Sequence, residues 1–461
     1  ILTGRCDQMS TIRQWKGLSG FPKRSESIHD CFDTGHSSTS ISAGIGMAAA
    51  RDLNGEEQYI VPIIGDGALT GGMAYEALNN GANIKKKFII ILNDNQMSID
   101  RNVGGLALYL DRFRTGEFYN DFKNDIEITL RKIPKVGNSI VKGVRGVKNG
   151  VKQLVVPGML FEELGYTYLG PIDGHDLRQL ITSIEQAKHV KGPVIIHTLT
   201  LKGKGYNPAE KDPMTYHGVK PFDKTNGDFH KGVEVSKPSY SEIVGKTLTH
   251  LADSNKKIVA ITAAMCSGTG LSKFSKQYPQ RFFDVGIAEQ HAVTFSAGLA
   301  AQGYKPFFVV YSSFLQRAYD QVIHDVAIQK LPVVFCIDRA GLVGEDGETH
   351  QGLFDLSYLS HIPNMTVMAP KSGQELEAML EFAAEYNEGP IAIRYPKGKD
   401  EMQSTDAPIT YGQPEWLIQE ENKSLLLSVG HFYSRVTQVH ARLKEQGYTC
   451  DLVNLRFVNP I

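Results

Sequence analysis

The sequence predicts an α/β chain of doubly wound parallel sheets, and three observations carry that expectation. Apolar runs of strand length alternate with amphipathic stretches of helix length almost throughout, the pattern of parallel strands covered by helices on both faces. Two of the runs end in polar clusters, Gly65-Asp66-Gly67 and Asn93-Asp94-Asn95, where open sheets present ligands. The length, 461 residues, exceeds what one core accommodates, so two or three domains are expected.

Taken in order, a first block spans 1–221. It holds a helix at Ser40–Arg51, whose Gly44 and Gly46 imply close packing, then a strand at Tyr59–Ile64 and a helix at Thr70–Ile84. Strands follow at Phe88–Leu92 and Pro193–Thr198. Residues 222–239 are polar, aperiodic and interrupted by glycine and proline, and are read as a linker. The second block, 240–402, has strands at Ile258–Thr262, Phe307–Tyr311, Pro332–Asp338, Met365–Met368 and Ile391–Arg394. Its helices are Glu289–Ala301, Ser313–Gln329 and Gly373–Tyr386. Residues 423–461 give one strand, Leu425–Val429, a helix, Tyr433–Gln446, and a strand, Cys450–Leu455. A single β-α-β unit cannot bury both sheet faces, so this segment is read as the start of a truncated domain. The chain opens at Ile1 without Met and stops at Ile461 just after a strand-like run, and both ends are read as cut.

Composition narrows the class. Apolar residues make up 41% and charged residues 21%, with 49 basic against 50 acidic side chains. That balance supplies no field to draw the chain onto nucleic acid or a membrane, and no apolar run reaches the length of a membrane span. The five cysteines, Cys6, Cys31, Cys266, Cys336 and Cys450, lack metal spacing and are read as reduced thiols in a cytosolic setting. Arg131–Gln153 carries seven Lys or Arg and no acid, with an apolar stripe at helical spacing. A membrane-surface helix, a cover near an anionic site and a solvated face all stay open for it.

Asp66 and Asn95 stand 29 positions apart at the mouths of successive strands. A carboxylate and a carboxamide so placed can hold a hard divalent cation such as Mg²⁺, which takes oxygen ligands and keeps sites for phosphate oxygens and water. Gly65, Gly67, Gly71 and Gly72 let backbone approach those oxygens, and the next helix N-terminus favours negative charge. A glycine-rich turn alone is weak evidence, since α/β packing often needs one. It is also not the dinucleotide fingerprint, because the glycines fall as G-x-G-x-x-x-G. The two clusters together resemble the cofactor signature of thiamine-diphosphate enzymes.

Such chemistry needs a shielded carboxylate beside the cofactor's aminopyrimidine. Glu289, flanked by Ile287, Ala288 and Ala292 at the start of an apolar helix, fits, because apolar neighbours raise a carboxyl pKa. Alone, it reads more simply as a first-turn acid complementing the helix dipole; beside the cation cluster the catalytic reading is preferred.

Further motifs run in order along nearly the whole chain: Gly35–Ile41, Gly65–Ala68, Leu92–Asn95, Val156–Gly158, Leu169–His175, Lys202–Tyr206, Glu210–Pro213, Ile287–Ala292, Ser313–Gln321, Asp338–Gly341, Thr349–Gly352 and Arg394–Pro396. Together they resemble the 1-deoxy-D-xylulose-5-phosphate synthase family of transketolase-like enzymes. The resemblance implies a thiamine-diphosphate-binding fold with two doubly wound parallel-sheet domains and the start of a third, transketolase C-terminal-like domain. It implies that Asp66, Asn95 and the Met97 carbonyl ligate Mg²⁺. Gly35, His36, Ser37, Gly67, Ala68 and Tyr206 would join Asn95 in lining thiamine diphosphate, and Glu289 would activate it. His217 and His350 are implied as catalytic, and Tyr311, Arg317, Arg339, Asp346, His350 and Arg394 as substrate contacts. Taken singly, a strand-end Arg more often forms a surface ion pair and a lone His is more often a satisfied polar residue.

The family condenses pyruvate, with decarboxylation, and D-glyceraldehyde 3-phosphate, the first step of non-mevalonate isoprenoid synthesis and a supply of thiamine and pyridoxal precursors. It also implies a homodimer in the cytoplasm, or in a plastid for a plant or algal source. In the family a histidine-bearing segment precedes the Ile1–Arg5 stretch, and a fuller C-terminal domain follows. The rivals are a transketolase, a 2-oxo-acid dehydrogenase component, and a silent homologue that binds cofactor without turnover.

Overall fold

The computed structural model describes residues 1–84, 87–115, 159–219, 221–229, 237–400, 408–420 and 423–461, with side chains 113–115 excepted. The basic stretch Arg131–Gln153 and the Val156–Gly158 motif lie outside the described residues. The chain divides into two compact units, one of Ser37–His230 and one of Ile1–His36 with Lys231–Ile461. Among the described residues no helix is long and apolar enough to cross a membrane.

The Ser37–His230 unit is built on four parallel strands, β1 (Ile63–Gly65), β2 (Ile89–Asp94), β3 (Thr167–Asp173) and β4 (Val194–Leu199), in the order β1-β2-β4-β3. β4 is buried at every position and β2 at most, as expected of Ile- and Val-rich strands covered on both faces. The predicted strand Tyr59–Ile64 is split: Ile60 bridges Phe88, and Pro62, which has no N–H, precedes the regular ladder. The helix Ser40–Leu53 packs closely here, since a Cβ on Gly44 would lie 3.0 Å from Pro62 Cγ.

The predicted helix Thr70–Ile84 runs only over Gly72–Gly81. A 3₁₀ turn at Ala68–Thr70 precedes it, and Gly71 is extended between the two. The sequence reading passed over β3, whose Gly170-Pro171 shifts its register against β4 and reads as a turn. It also passed over the helix Leu177–Lys188, capped by Asp176 accepting from the N–H groups of Arg178 and Gln179.

The other unit carries a seven-stranded sheet of β5 (Ile258–Thr262), β6 (Phe282–Asp284), β7 (Lys305–Tyr311), β8 (Val334–Asp338), β9 (Thr366–Met368), β10 (Ile391–Arg394) and β14 (Phe457–Asn459). Its order is β14-β9-β10-β8-β7-β5-β6, and every pair is parallel except β14 with β9. The chain leaves β5 for β6 on one side and then returns to β7 on the other. In open α/β sheets such a reversal marks where ligands bind, outside the carboxyl ends of the strands, here β5 and β7.

The helix Tyr240–Ser254 starts with a capping box between Ser239 and Glu242. Helix Glu289–Ala301 has the predicted bounds. The stretch Ser313–Gln329, expected as one helix, is broken. A helical turn at Ser312–Leu315 gives way to a 3₁₀ turn at Gln316–Ala318, a turn at Tyr319–Gln321 and a π-helix at Val322–Ala327. Ala318, at φ −108° and ψ 22°, interrupts the helical dihedrals. Hydrophobic period alone does not register such a break.

A three-stranded sheet is formed by β11 (Glu415–Ile418), β12 (Leu425–Ser428) and β13 (Asp451–Asn454), in the order β11-β13-β12. The helix Tyr433–Glu445 connects β12 to β13 as expected, but the antiparallel β11 was not foreseen. The chain then crosses into the large sheet as β14. Buried charges tie the two sheets: Arg456 Nε meets Glu375 Oε1 at 2.7 Å, Asn454 Nδ2 donates to the same oxygen at 2.9 Å, and Lys371 pairs with Glu415.

The opening segment belongs by contact with this unit, whereas the sequence division placed it in the 1–221 block. Its only regular element is the 3₁₀ helix Cys6–Thr11, so no periodicity assigned it. Polar links do: Lys23 Nζ reaches Glu348 at 3.0 Å, and His36 Nε2 lies 2.7 Å from the Thr349 carbonyl.

Candidate active site

Each unit gathers expected site residues at the carboxyl ends of its strands. In the Ser37–His230 unit, β1 pairs Gly65 with Asn93, and the Asp66 N–H continues the ladder onto the Asn93 carbonyl at 3.2 Å. Asp66 is 4% exposed. Its Oδ2 accepts from Gln96 N and Asn102 Nδ2, both at 2.7 Å, while its buried Oδ1 meets no hydrogen-bond donor. Burial and then the nearby charge of Asp94 push this carboxyl up to about 7. Asn95 Oδ1 accepts the Met97 N–H at 3.0 Å, which folds the loop back on the strand end.

Gly67 is required here, because a Cβ would sit 2.9 Å from both Asn102 Oδ1 and Ser98 Cβ. The Ala68 carbonyl is held by Ser38 Oγ at 2.6 Å, with Ser38 at φ 74°. Lys202 Nζ donates to the Ser98 carbonyl at 2.6 Å, and burial lowers its pKa.

These residues fit Mg²⁺. The set is one carboxylate with an orphaned oxygen, one carboxamide oxygen and the backbone carbonyl of Met97, all hard oxygen donors. A cation would also relieve the cost of an ionised buried Asp66. Among the described residues no group of three His, Cys, Asp or Glu could hold a metal.

Two expected residues of this unit lie in a different local setting. Tyr206 packs in an aromatic group with Tyr216 and Phe222, ring centroids 5.8 Å away in each case, and its hydroxyl donates to the Lys224 carbonyl. His217 is exposed on the turn that follows, its N–H donating to the Met214 carbonyl at 3.2 Å. Ser37, expected at the cofactor, is half-buried with its hydroxyl 3.5 Å from that of Ser38.

In the second unit, Glu289 opens its helix 3% exposed, with Arg317 Nη1 3.4 Å from its Oε2. Burial raises its pKa, and the Arg317 charge opposes the rise without cancelling it. Sheet register sets Tyr311 beside Asp338 and Arg394 beside Ile337, so Tyr311, Arg339 and Arg394 end three neighbouring strands.

Arg339 has φ 58°, and its guanidinium lies 3.7 Å from the Tyr311 ring centroid. Its buried Nε and Nη1 have no hydrogen-bond partner, and Asp346 Oδ2 is 4.0 Å away, too far for one. Two buried N–H donors without acceptors suit an anion. Asp346 is instead held by Lys397 at 2.8 Å. Gly352 allows the loop its close return, since a Cβ there would lie 2.4 Å from the Arg339 carbonyl. Arg394 is clamped by buried Asp355, Nε to Oδ2 at 2.7 Å.

His36 and His350 stand together, centroids 5.7 Å apart, with Phe314 edge-on to both and Phe21 stacked on His350 at 5.0 Å. Gly35 precedes this contact, and a Cβ on it would strike Thr349 Oγ1 at 2.3 Å. Burial, then His36, depress His350 to about 4, so its imidazole is neutral at pH 7.

The structure thus collects Asp66, Asn95, Met97, Gly67 and Ala68 in one unit, and Gly35, His36, Glu289, Tyr311, Arg317, Arg339, Asp346, His350 and Arg394 in the other. Sequence reasoning missed Asn102, Ser38, Asp355 and Phe21. Ser38 lies within the Gly35–Ile41 motif but was given no role there, and Asn102, Asp355 and Phe21 lie outside the motifs, so only tertiary contact assigns them.

Two family models match the chain, 1-deoxy-D-xylulose-5-phosphate synthase over residues 1–200 and the transketolase pyrimidine-binding domain over residues 236–401. A 1-deoxy-D-xylulose-5-phosphate synthase of Alkaliphilus oremlandii is 55% identical over the full chain, which spans 74% of that relative. Those of Lachnoclostridium phytofermentans and Clostridium acetobutylicum are 54% and 53% identical, again over the full chain, with 73% and 74% of their lengths covered.

Proposed function

The chain belongs to the 1-deoxy-D-xylulose-5-phosphate synthase family, and we propose that it carries out that family's reaction. The reaction condenses pyruvate, with loss of CO₂, and D-glyceraldehyde 3-phosphate to 1-deoxy-D-xylulose 5-phosphate, with thiamine diphosphate and Mg²⁺ as cofactors. The product feeds isoprenoid synthesis and the supply of thiamine and pyridoxal precursors. When bound, the cofactor supplies a thiazolium ring that accepts the electron pair released as CO₂ departs.

The Ser37–His230 unit would hold the cation through Asp66, Asn95 and the Met97 carbonyl, with Gly67 and Ala68 giving backbone access to the diphosphate. In the other unit, Glu289 would hold a proton at the aminopyrimidine, kept protonatable by burial and restrained by Arg317. Arg339 would take the aldehyde's phosphate through its two unpartnered N–H donors, and Arg394, whose Nε and Nη2 face Asp355, would add a contact from Nη1. Neutral His350, with His36, would exchange protons with substrate oxygens. Tyr206, Ser37 and His217 are assigned to this site by resemblance alone. A homodimer in the cytoplasm is the accompanying reading, also supported by resemblance.

The observation that carries the reading is the orphaned, buried Asp66 Oδ1 beside the Asn95 loop. The test incubates purified protein with pyruvate, D-glyceraldehyde 3-phosphate, Mg²⁺ and thiamine diphosphate, and follows CO₂ and product by mass. Stoichiometric CO₂ and 1-deoxy-D-xylulose 5-phosphate are expected. Ketol transfer between sugar phosphates without CO₂ would contradict the reading and favour a transketolase.

A further inference from the structure

A buried polar chain runs across the Ser37–His230 sheet behind the cation cradle, and nothing in the reaction above uses it. Asp94, the last residue of β2, is 1% exposed. Its Oδ1 accepts the Gln96 N–H at 3.1 Å, the same N–H that reaches Asp66 Oδ2 at 2.7 Å. One backbone amide thus ties the two carboxylates together.

The other oxygen of Asp94, Oδ2, lies 3.1 Å from Nε2 of His197. His197 is 0% exposed on β4, whose register sets it beside Leu92. Its Nδ1 meets the Tyr168 hydroxyl of β3 at 2.7 Å, and the Tyr168 ring is stacked on Phe161, 6.0 Å between centroids and 4° between planes. The line Tyr168–His197–Asp94–Gln96–Asp66 therefore passes from the β3 edge through β4 and β2 to the mouth of β1.

An ionised Asp94 only accepts, which assigns the hydrogen of that contact to His197 Nε2, while the other ring nitrogen, Nδ1, meets the Tyr168 hydroxyl. Each ring nitrogen then has a partner, and the ring is fixed in orientation. Metal sites commonly depend on such outer partners to hold their ligands.

We propose that His197 is a positioning residue for the cation site, holding Asp94 so that the Gln96 amide, and through it Asp66, stays in place to bind Mg²⁺. Tyr168 in turn fixes the His197 ring. The proposal rests on the reading of Asp66 and Asn95 as Mg²⁺ ligands, and it deepens that reading.

The test is a calorimetric Mg²⁺ titration of the protein saturated with thiamine diphosphate, with the thermal unfolding midpoint measured alongside. His197→Leu is expected to weaken Mg²⁺ by up to about 10-fold, the lower end of the cost of losing a group that contacts a ligand directly, since His197 acts through Asp94 and the Gln96 amide. His197→Gln, which can present an N–H from a similar position, restores most of that affinity, and Tyr168→Phe weakens it by less. Unchanged Mg²⁺ affinity in both His197→Leu and Tyr168→Phe, with only the midpoint lowered, overturns the proposal and leaves the chain a packing feature. If His197→Leu does not fold, the Tyr168→Phe titration decides: weakened Mg²⁺ affinity supports the proposal, and unchanged affinity with only the midpoint lowered overturns it. Asp66→Asn separates the two levels: if it too leaves Mg²⁺ affinity unchanged, the cation reading itself fails and takes the proposal with it.

Discussion

Asp66 Oδ2 accepts the Gln96 backbone N–H at 2.7 Å, while Oδ1 of the same buried carboxylate meets no donor. One oxygen is used by the fold and the other is left for a ligand. Burial, and then the neighbouring charge of Asp94, push this carboxyl up to about 7. Mg²⁺ must displace the carboxyl proton below pH 7. Affinity for Mg²⁺ should therefore fall as pH drops from 7 to 5.5, by up to about tenfold per unit. Calorimetry at pH 6 in two buffers of different ionisation enthalpy should show proton release on Mg²⁺ binding, and Asp66→Asn should remove it. Release of the same size in the variant would assign the proton elsewhere.

Glu289 is the proposed proton carrier for the cofactor. Glu289→Gln should leave thiamine diphosphate affinity nearly intact and slow exchange of the cofactor's C2 hydrogen by about 10²-fold or more. Nuclear magnetic resonance of quenched exchange samples reads both. Wild-type exchange in the variant would remove Glu289 from the mechanism.

Arg339 presents two buried, unpartnered N–H groups against the Tyr311 face. Arg339→Lys keeps the charge but loses the planar fork. The KM for D-glyceraldehyde 3-phosphate should rise about tenfold or more, with the KM for pyruvate unchanged. Equal effects on both substrates would argue for a general disturbance rather than a phosphate contact.

His350 is depressed to about 4 by burial and by His36, from an ordinary value near 6.5. The unfolded chain therefore takes up a proton between pH 6.5 and 4 that the folded chain resists. The stabilising contribution is complete above pH 6.5 and is lost as pH falls towards 4. Denaturant unfolding should show a smaller acid loss in His350→Gln than in wild type over that window. An identical loss in both would mean that His350 titrates normally.

The strand ends were legible because their chemistry is local: a polar cluster directly after an apolar run marks both Asp66 and Asn95 without tertiary information. The helix Glu289–Ala301 and the strands Ile258–Thr262 and Ile391–Arg394 were found with their bounds, since each is a clean run between breaks. β3 was missed because Gly170-Pro171 imitates a turn, and β11 because a four-residue strand paired only to a distant partner leaves little periodic signal. The grouping of Ile1–His36 with the later sheet was not legible at all. It depends on contacts such as His36 with Thr349, made across more than 300 residues of chain. Asp355 and Asn102 fall in the same class, as each acts through a partner that only folding supplies.

The cation cradle at the ends of β1 and β2 is open to direct measurement. Calorimetric titration of thiamine diphosphate into wild type and Asp66→Ala, each with and without Mg²⁺, measures it. Wild type should bind tightly only with Mg²⁺ present, and Asp66→Ala should bind weakly whether or not the cation is added. Tight, Mg²⁺-dependent binding in Asp66→Ala would contradict the assignment.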